Sequence, residues 1–323
     1  MASDLGKRRI APRPVGTLSG KRTVCLRVLS RALAGINRWL DRMPLTHWLH
    51  RRVRSRLEMS ELKLPVRSGD ELLSGLRIAF ITDVHAGSFL DQADITEVCR
   101  QVQAQQPDLV LFGGDMINTR DREVMLFRQG LRELKPRYGM FAVPGNHDHF
   151  YGRDISLWRA FLEDNGVTVL MNQGLRIHHE GRSLWLCGVD DLTEGQPSID
   201  HALEGRREGE MSILISHHPD FFCEAVDANV DLQLSGHTHG GQIRIAGKAP
   251  VNHSTLGYEQ GWFREADSRL YVSRGVGVTV LPLRIGAPPE VPMITLGSPV
   301  EQNQAIQVQR QPSVAVDQVE LLV

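Results

Sequence analysis

Short apolar runs alternate with amphipathic stretches through the middle of the chain. The apolar runs are bounded by turn-forming residues, as buried strands are, and the amphipathic stretches carry apolar residues at helical spacing. This alternation predicts a sheet that is covered by helices and presents polar residues at the carboxyl ends of its strands. The predicted strands are residues 76–81, 108–112 and 138–143, and the predicted helices are residues 91–105, 122–134 and 154–164.

The second half of the chain contains shorter apolar runs with less helical sequence between them. These runs predict a further group of strands, and the polar stretch from Glu301 onward predicts a loose tail. The predicted strands are residues 167–170, 184–189, 212–215, 230–234, 270–273 and 292–296.

Five of the predicted strands end in Asp, Asn or His. Any one such residue is more often a cap or a satisfied polar group than a ligand, but eight of them have no structural reason to coincide. Oxygen and imidazole ligands suit divalent metals, and this set is too rich for one ion. Two ions about 3.5 to 4 Å apart that share a carboxylate would use nearly all of it. The eight residues are Asp83, His85, Asp115, Asn146, His147, His217, His237 and His239.

The sequence Gly-His-Thr-His-Gly-Gly-Gln at residues 236–242 is the richest of these strand ends. Neutral imidazole is the commonest side-chain ligand for transition metals, and two such rings one residue apart in a loop can converge on one point. Glycine lacks the Cβ that would keep a backbone away from an ion. Taken alone, the segment predicts a ligand cluster for one metal.

Composition limits the class of protein. With 323 residues, of which 41% are hydrophobic and 23% charged, the chain can bury one large core or two moderate ones. Its four Cys residues show none of the C-x-x-C spacings of zinc sites. We therefore expect reduced, mostly buried thiols and a cytoplasmic location.

The net charge of -1 conceals an asymmetry between the two ends of the chain. Residues 1–56 contain 14 Lys and Arg against two Asp, a net charge of +12, and the remainder carries -13. Within residues 20–60, apolar residues recur every three or four positions among Arg side chains, which predicts basic amphipathic helices. No run approaches the ~20 apolar residues that span a bilayer. The apolar stripe is expected either to lie on an anionic membrane surface or to pack on protein, and both alternatives stay open.

Five short segments at the strand ends resemble, in order and spacing, the calcineurin-like metallophosphoesterases. The resemblance covers roughly residues 76–296 and implies an α/β fold, an α+β sandwich of two packed mixed β-sheets flanked by helices. It divides the chain into a basic amphipathic helical arm (1–67), a catalytic domain (68–300) and a flexible C-terminal tail (301–323). The segments are Asp83-Val84-His85, Gly114-Asp115, Gly145-Asn146-His147-Asp148, His217 and Gly236-His237-Thr238-His239.

The resemblance also implies a role for each site residue. Two divalent ions are expected, with Mn²⁺ as the first choice and Fe or Zn as alternatives, and they would activate a bridging water so that hydroxide attacks phosphorus in line. His147 would either donate a proton to the leaving oxygen or stabilise charge on the phosphate, with Asp148 as the residue that orients it. The family often has Asp where this chain has Asn118. The implied ligands are Asp83, His85 and His239 for the first ion, Asn146, His217 and His237 for the second, and Asp115 for both.

The sequence evidence on the substrate comes from segments in and after the His-rich loop. Segments at 240–242, 273–277 and 282–290 resemble a membrane-associated subgroup of the family, in which some relatives cleave the lipid-linked nucleotide UDP-2,3-diacylglucosamine. Arg274 and Arg284 are therefore expected either to contact phosphate oxygens or to be held by structural carboxylates. The leading interpretation is a dinuclear metal-dependent hydrolase of a phosphodiester or pyrophosphate, cytoplasmic and peripheral on the inner membrane.

Two other classes of function stay open. A metal-dependent nuclease or nucleotide phosphodiesterase would use the basic arm for nucleic acid. The only large aromatic residues of the arm, Trp39 and Trp48, lie in or beside the apolar stripe, which disfavours a nucleic-acid partner. A non-catalytic metal-bound recruitment module is the third class, and it would have no need of a non-ligating proton donor such as His147.

Overall fold

The computed structural model describes residues 53, 56–87, 89–149, 154–250, 253–279 and 281–297. The amphipathic segments predicted before residue 53 and the tail predicted from residue 301 lie outside these residues. The strands are β1 (Glu58–Pro65), β2 (Arg77–Ile81), β3 (Leu109–Phe112), β4 (Met140–Ala142), β5 (Val167–Val169), β6 (Gln173–His179), β7 (Arg182–Gly188), β8 (Met211–Ile215), β9 (Leu232–Ser235), β10 (Gly261–Glu265), β11 (Ser268–Val272) and β12 (Glu290–Gly297). The α-helices are α1 (Gln92–Ala104), α2 (Arg128–Glu133), α3 (Asn146–His149), α4 (Ser156–Asp164), α5 (Ile199–Ala202) and α6 (Phe222–Asp227).

The strands form two six-stranded mixed sheets. The first has the order β1-β12-β2-β3-β4-β5, with β2 to β5 parallel and β12 antiparallel to β2. The second has the order β10-β11-β9-β8-β7-β6, with a parallel centre and an antiparallel strand at each edge. The predicted fold of two mixed sheets is confirmed.

The two sheets pack face to face between layers of helices. Side chains of a strand point alternately to its two faces, so Ile78 and Phe80 of β2 meet Ile215 of β8 in the core between the sheets. Ala79 and Ile81 face the other way, into a core formed with α1, α2 and α4. Helices α5 and α6 cover the outer face of the second sheet. The result is a helix–sheet–sheet–helix sandwich.

Strands β1, β6 and β10 lie where the sequence predicts none. β1 runs parallel to β12 over its whole length, from the pair Glu58↔Glu290 to the pair Pro65↔Gly297. The first sheet therefore begins at Glu58, inside the range assigned to the arm. Charged residues interrupt β1, and most of its side chains are only half-buried or exposed, so it lacks the continuous apolar run of a central strand. The helix predicted at residues 122–134 is a 3₁₀-helix, Asp121–Phe127, followed by α2.

Candidate metal centre

The predicted site residues meet where strands of both sheets end. β2, β3 and β4 of the first sheet lead into the loops of Asp83, Asp115 and Asn146, and β8 and β9 of the second lead into those of His217 and His237. Parallel strands present their carboxyl ends at one edge of a sheet. The two edges adjoin, so loops from both sheets enclose one site.

The loops that carry these side chains are tightly turned. Five site residues have φ between 49 and 70°, the left-handed region that residues with a Cβ seldom adopt. Glycines allow the loops to approach each other: a Cβ on Gly114 would lie 2.7 Å from the backbone nitrogen of Gly145 and 2.8 Å from His217 Nδ1. Strained backbone of this kind clusters at functional sites. The five residues are Asp83, His85, Asp115, His237 and His239.

The first candidate metal group consists of Asp83, His85 and His239, whose ligand atoms all lie within 4.8 Å of one another. His239 Nε2 is 3.0 Å from His85 Nε2 and 3.4 Å from Asp83 Oδ1. All three side chains are buried. Asp83 also accepts hydrogen bonds from Thr82 Oγ1 and the backbone nitrogen of His237, which fix its carboxylate. We call these three residues the closed group.

The second candidate group contains Asp115, His217 and His237. His217 Nε2 lies 3.3 Å from Asp115 Oδ2, and the same oxygen lies 3.5 Å from His85 Nε2. His237 Nδ1 is 3.0 Å from Asn146 Oδ1, which adds the Asn146 side chain to this group. Asp115 thus lies between the two groups. We call Asn146, His217 and His237 the open group, because Asn146 and His237 are only half-buried.

Two buried imidazole nitrogens of the centre, one on His217 and one on His85, have no hydrogen-bond partner among the described residues. His217 Nδ1 donates to the carbonyl oxygen of Gly113 at 2.8 Å, so the lone pair on Nε2 of the neutral ring points at the Asp115 carboxylate. The two atoms without a partner are this Nε2 and His85 Nδ1. A lone pair and a carboxylate oxygen repel at this distance unless a proton or a cation lies between them. The donor set therefore fits divalent metal ions.

Burial and mutual charge shift the pKa values of the centre in different directions. Burial, and to a lesser degree the Asp115 charge, raise the pKa of Asp83 to about 6. Burial alone would lower the pKa of His217, but the Asp115 carboxylate raises it well above its usual range. The pKa of each of the other three imidazoles is held well below its usual range, mainly by burial and secondly by repulsion from neighbouring rings. These rings therefore stay neutral and able to bind metal. They are His85, His237 and His239.

His147 lies beside both groups. Its ring packs edge-on against His85, with 4.6 Å between ring centroids, and one of its nitrogens lies within 4.8 Å of the ligand atoms of His85 and Asp115. His147 Nδ1 is 2.7 Å from the carbonyl oxygen of Asn118. Because a carbonyl only accepts, Nδ1 carries the hydrogen and Nε2 of the neutral ring carries the lone pair.

Asp148 has a different place from the one predicted. Its carboxylate accepts hydrogen bonds from the backbone nitrogens of Ile117 at 3.1 Å and Gly145 at 2.9 Å. Burial, together with the Asp115 charge, raises its pKa to about 7. Asp148 therefore joins the loops after β3 and β4, and the partner that orients His147 Nδ1 is the Asn118 carbonyl, which corrects the predicted orienting role of Asp148.

The two Arg residues predicted to contact substrate are held by the protein itself. Arg274 Nη2 lies 2.6 Å from Glu290 Oε2 and 2.7 Å from Glu58 Oε2. The buried guanidinium of Arg284 donates to backbone carbonyls and lies 3.1 Å from His239 Nδ1. These contacts favour the structural alternative for both residues and place Arg284 behind the closed group.

Several residues outside the predicted ligand set also lie around the centre. His149 Nε2 is 2.6 Å from Asp190 Oδ1, and this pair joins α3 to the loop after β7. The His218 ring packs on His237 at 4.2 Å between centroids, and the exposed His253 ring lies 5.9 Å from the same ring. No spacing in the sequence relates these loops, so only the fold brings them together.

Known proteins resemble this chain over the region that contains the site residues. Residues 76–241 match the family model described as calcineurin-like phosphoesterase. The metallophosphoesterase YkuE of Bacillus subtilis is 34% identical over 230 residues, which cover 69% of this chain and 80% of that protein. A metallophosphoesterase of Helicobacter pylori (strain 26695) is 35% identical over 243 residues, 73% of this chain and 63% of its own length.

Animal relatives carry the same domain in longer chains. A "transmembrane protein with metallophosphoesterase domain" of Danio rerio is 27% identical over 252 residues, covering 73% of this chain and 56% of that protein. The chain thus spans less than two thirds of the length of the Helicobacter and Danio relatives.

Proposed function

The chain belongs to the calcineurin-like phosphoesterase family and is a phosphoester hydrolase, and we propose that it cleaves a phosphodiester or pyrophosphate bond with two divalent metal ions. The observation that carries this proposal is the position of Asp115 Oδ2, 3.3 Å from His217 Nε2 and 3.5 Å from His85 Nε2. A carboxylate oxygen between two imidazole groups suits a side chain that bridges two ions.

The proposed ions divide the ligands between the two groups. The closed group would hold one ion, the open group the other, and Asp115 both. When bound, the ions would neutralise phosphate oxygens and lower the pKa of an attacking water molecule. Mn²⁺ is our first choice because carboxylate and amide oxygens accompany the imidazoles, with Fe or Zn as alternatives.

His147 is the proposed general acid. His147 Nδ1 lies 2.7 Å from the Asn118 carbonyl oxygen and donates its hydrogen to it. Nε2 is therefore the nitrogen that gains and loses a proton. The protonated ring would donate from Nε2 to the leaving oxygen. Its edge-on contact with His85 keeps the ring beside the closed group.

The finer identity of the substrate is also proposed. A lipid-linked pyrophosphate such as UDP-2,3-diacylglucosamine would place the scissile bond near a membrane, where the basic segment within residues 20–60 would bind anionic headgroups from the cytoplasmic side. No helix of the described residues is both long and apolar enough to cross a bilayer. Product analysis with this lipid, compared with a soluble nucleotide diester, distinguishes the lipid substrate from the alternative nucleotide phosphodiesterase.

The direct test of the hydrolase uses the purified full chain. After removal of metals by a chelator, hydrolysis of bis(p-nitrophenyl) phosphate is measured with Mn²⁺, Fe²⁺ or Zn²⁺ added separately. We expect metal-dependent hydrolysis, and we expect Asp115→Ala to lose at least about a thousandfold in kcat/KM because both ions lose a shared ligand. The exposed Asp164→Ala is the matched control. Full activity of Asp115→Ala, or of wild type without metal, contradicts the proposal.

A further inference from the structure

Three large aliphatic side chains are exposed near the metal centre. Ile245 is 69% exposed, Leu281 45% and Ile285 46%. They lie on two loops, residues 242–248 and 281–286, and the first of these loops follows the turn His239–Gly241. Exposed apolar side chains that cluster, rather than occur singly, indicate an interaction surface.

Hydrogen bonds join the two loops into one surface. The backbone nitrogen of Arg244 donates to the carbonyl of Ile285 at 2.7 Å, and the Ile285 nitrogen donates to the carbonyl of Gln242 at 3.0 Å. The Gln242 side chain reaches across and donates to the carbonyl of Leu281 at 3.2 Å. We call Ile245, Leu281 and Ile285 the aliphatic loop surface.

Positive charge accompanies the aliphatic loop surface. Exposed Lys248 pairs with Ile245 through two backbone hydrogen bonds, of 2.9 and 3.1 Å, at the tip of the first loop. Next to Ile285, Gly286 lines a groove of about 540 Å³ together with Val53 and Pro288. Val53, the first residue that the structure describes, lines this groove, and it belongs to the sequence segment 1–56 that carries the net charge of +12.

We propose that the aliphatic loop surface inserts into the headgroup region of an anionic phospholipid bilayer. Three side chains on loops are few beside the roughly 800 Å² per partner that a stable protein interface buries. Aliphatic groups flanked by a Lys instead suit shallow insertion among anionic headgroups. The inference extends the membrane part of the proposed function from residues 20–60 to the domain itself, and it does not require hydrolysis.

Insertion of these loops would orient the domain with its metal centre close to the membrane surface. Gln242 lies three residues after His239, and its side chain holds the second loop. Arg284, between Leu281 and Ile285 in sequence, donates to the carbonyl oxygen of His239 at 3.2 Å. A bilayer in contact with these loops would therefore lie beside the closed group.

The test is sedimentation of the full chain with sucrose-loaded vesicles, either of phosphatidylcholine alone or of phosphatidylcholine with phosphatidylglycerol. We expect the variant with Ile245→Ser, Leu281→Ser and Ile285→Ser to bind the anionic vesicles at least about tenfold more weakly than wild type, because it loses buried apolar area. Lys248→Ser is expected to weaken binding about fivefold, and only to the anionic vesicles.

The matched control removes exposed aliphatic side chains elsewhere. Leu72 is 57% exposed and Leu157 43%, so the variant with Leu72→Ser and Leu157→Ser is expected to bind like wild type. Ile245→Ser alone serves if the triple variant does not fold. The proposal is overturned if wild type and the loop variants bind equally, which is the result expected if the arm acts alone or covers the loops. It is also overturned if wild type does not bind the vesicles. Hydrolysis of the soluble diester, measured in parallel, tests the proposed function separately.

Discussion

The closed and open groups of the metal centre share Asp115 but differ in their surroundings. Asp83, His85 and His239 are 0, 2 and 4% exposed, and the buried Arg284 lies behind them. In the open group, Asn146 and His237 are half-buried. The rings of His218 and His253 lie beside the His237 ring, with 4.2 and 5.9 Å between centroids.

From this difference we expect the two proposed ions to be bound with different strength. Buried ligands with a carboxylate held by Thr82 and His237 are preorganised, so the closed group should retain its ion strongly. The open group itself offers one amide and two imidazoles, and it shares the Asp115 carboxylate with the closed group. We therefore expect its ion to exchange more readily and to face the substrate.

The largest effects should come from removing one ligand in each group. Asp83→Asn should lower kcat/KM by about a thousandfold even with excess Mn²⁺, because the closed group loses its own carboxylate. Asn146→Ala should lose activity at low Mn²⁺ and recover most of it at high Mn²⁺. Metal content after dialysis, by inductively coupled plasma mass spectrometry, should show one retained ion in Asn146→Ala. Identical metal dependence of the two variants would remove the distinction between the groups.

A second prediction distinguishes His147 from the ligands around it. His147→Ala should lower kcat by about a hundredfold or more for a diester with an alkoxide leaving group, because a general acid contributes most when the leaving group is poor. With p-nitrophenolate as the leaving group, the loss should be small. Metal content should equal that of wild type. Loss of an ion from His147→Ala would instead make it a ligand, which its distance from His85 and Asp115 also permits.

The candidate ligands of this comparison could be singled out in the sequence because they follow apolar runs, whereas their division into two sets came only from the resemblance to the family. Asp83 follows β2, Asp115 follows β3 and His217 follows β8, each with small residues beside it. Central strands are buried on both faces and are therefore visible as apolar runs. The edge strands β1, β6 and β10 are half exposed, and their mixed composition conceals them.

What surrounds the ligands could not be predicted, because it depends on loops that are distant in sequence. The Asn118 carbonyl that holds His147 is a backbone group, which any residue type would supply. Arg284 approaches His239 across 45 positions of sequence, and its type alone is equally consistent with substrate binding. Adjacency in sequence does not bring the side chains of Asp148 and His147 together, because the Asp148 carboxylate accepts hydrogen bonds from the backbone nitrogens of Ile117 and Gly145.

The smallest effect we predict is a different pH dependence of metal binding by the two groups. Burial, with the Asp115 charge, raises the pKa of Asp83 to about 6, so below that pH a proton occupies a ligand of the closed group. Its affinity for Mn²⁺ should fall about tenfold per pH unit as the pH decreases below about 6, and should be constant above it. The other ligands of the closed group have lowered pKa values and add no proton to displace near neutral pH.

The open group should behave differently because Asp115, against the opposing effect of burial, raises the pKa of His217 well above its usual range. Metal must displace that proton at neutral pH, so the affinity of the open group should continue to increase above pH 7. Competition with a fluorescent chelator between about pH 5 and 8 measures both affinities. Asn146→Ala, which is expected to keep only the ion of the closed group, should show the lower transition alone. If the affinity for Mn²⁺ had the same pH dependence in that variant and at the weaker site of wild type, the surroundings of each group would not determine it. The shared Asp115 would then determine the pH dependence at both sites.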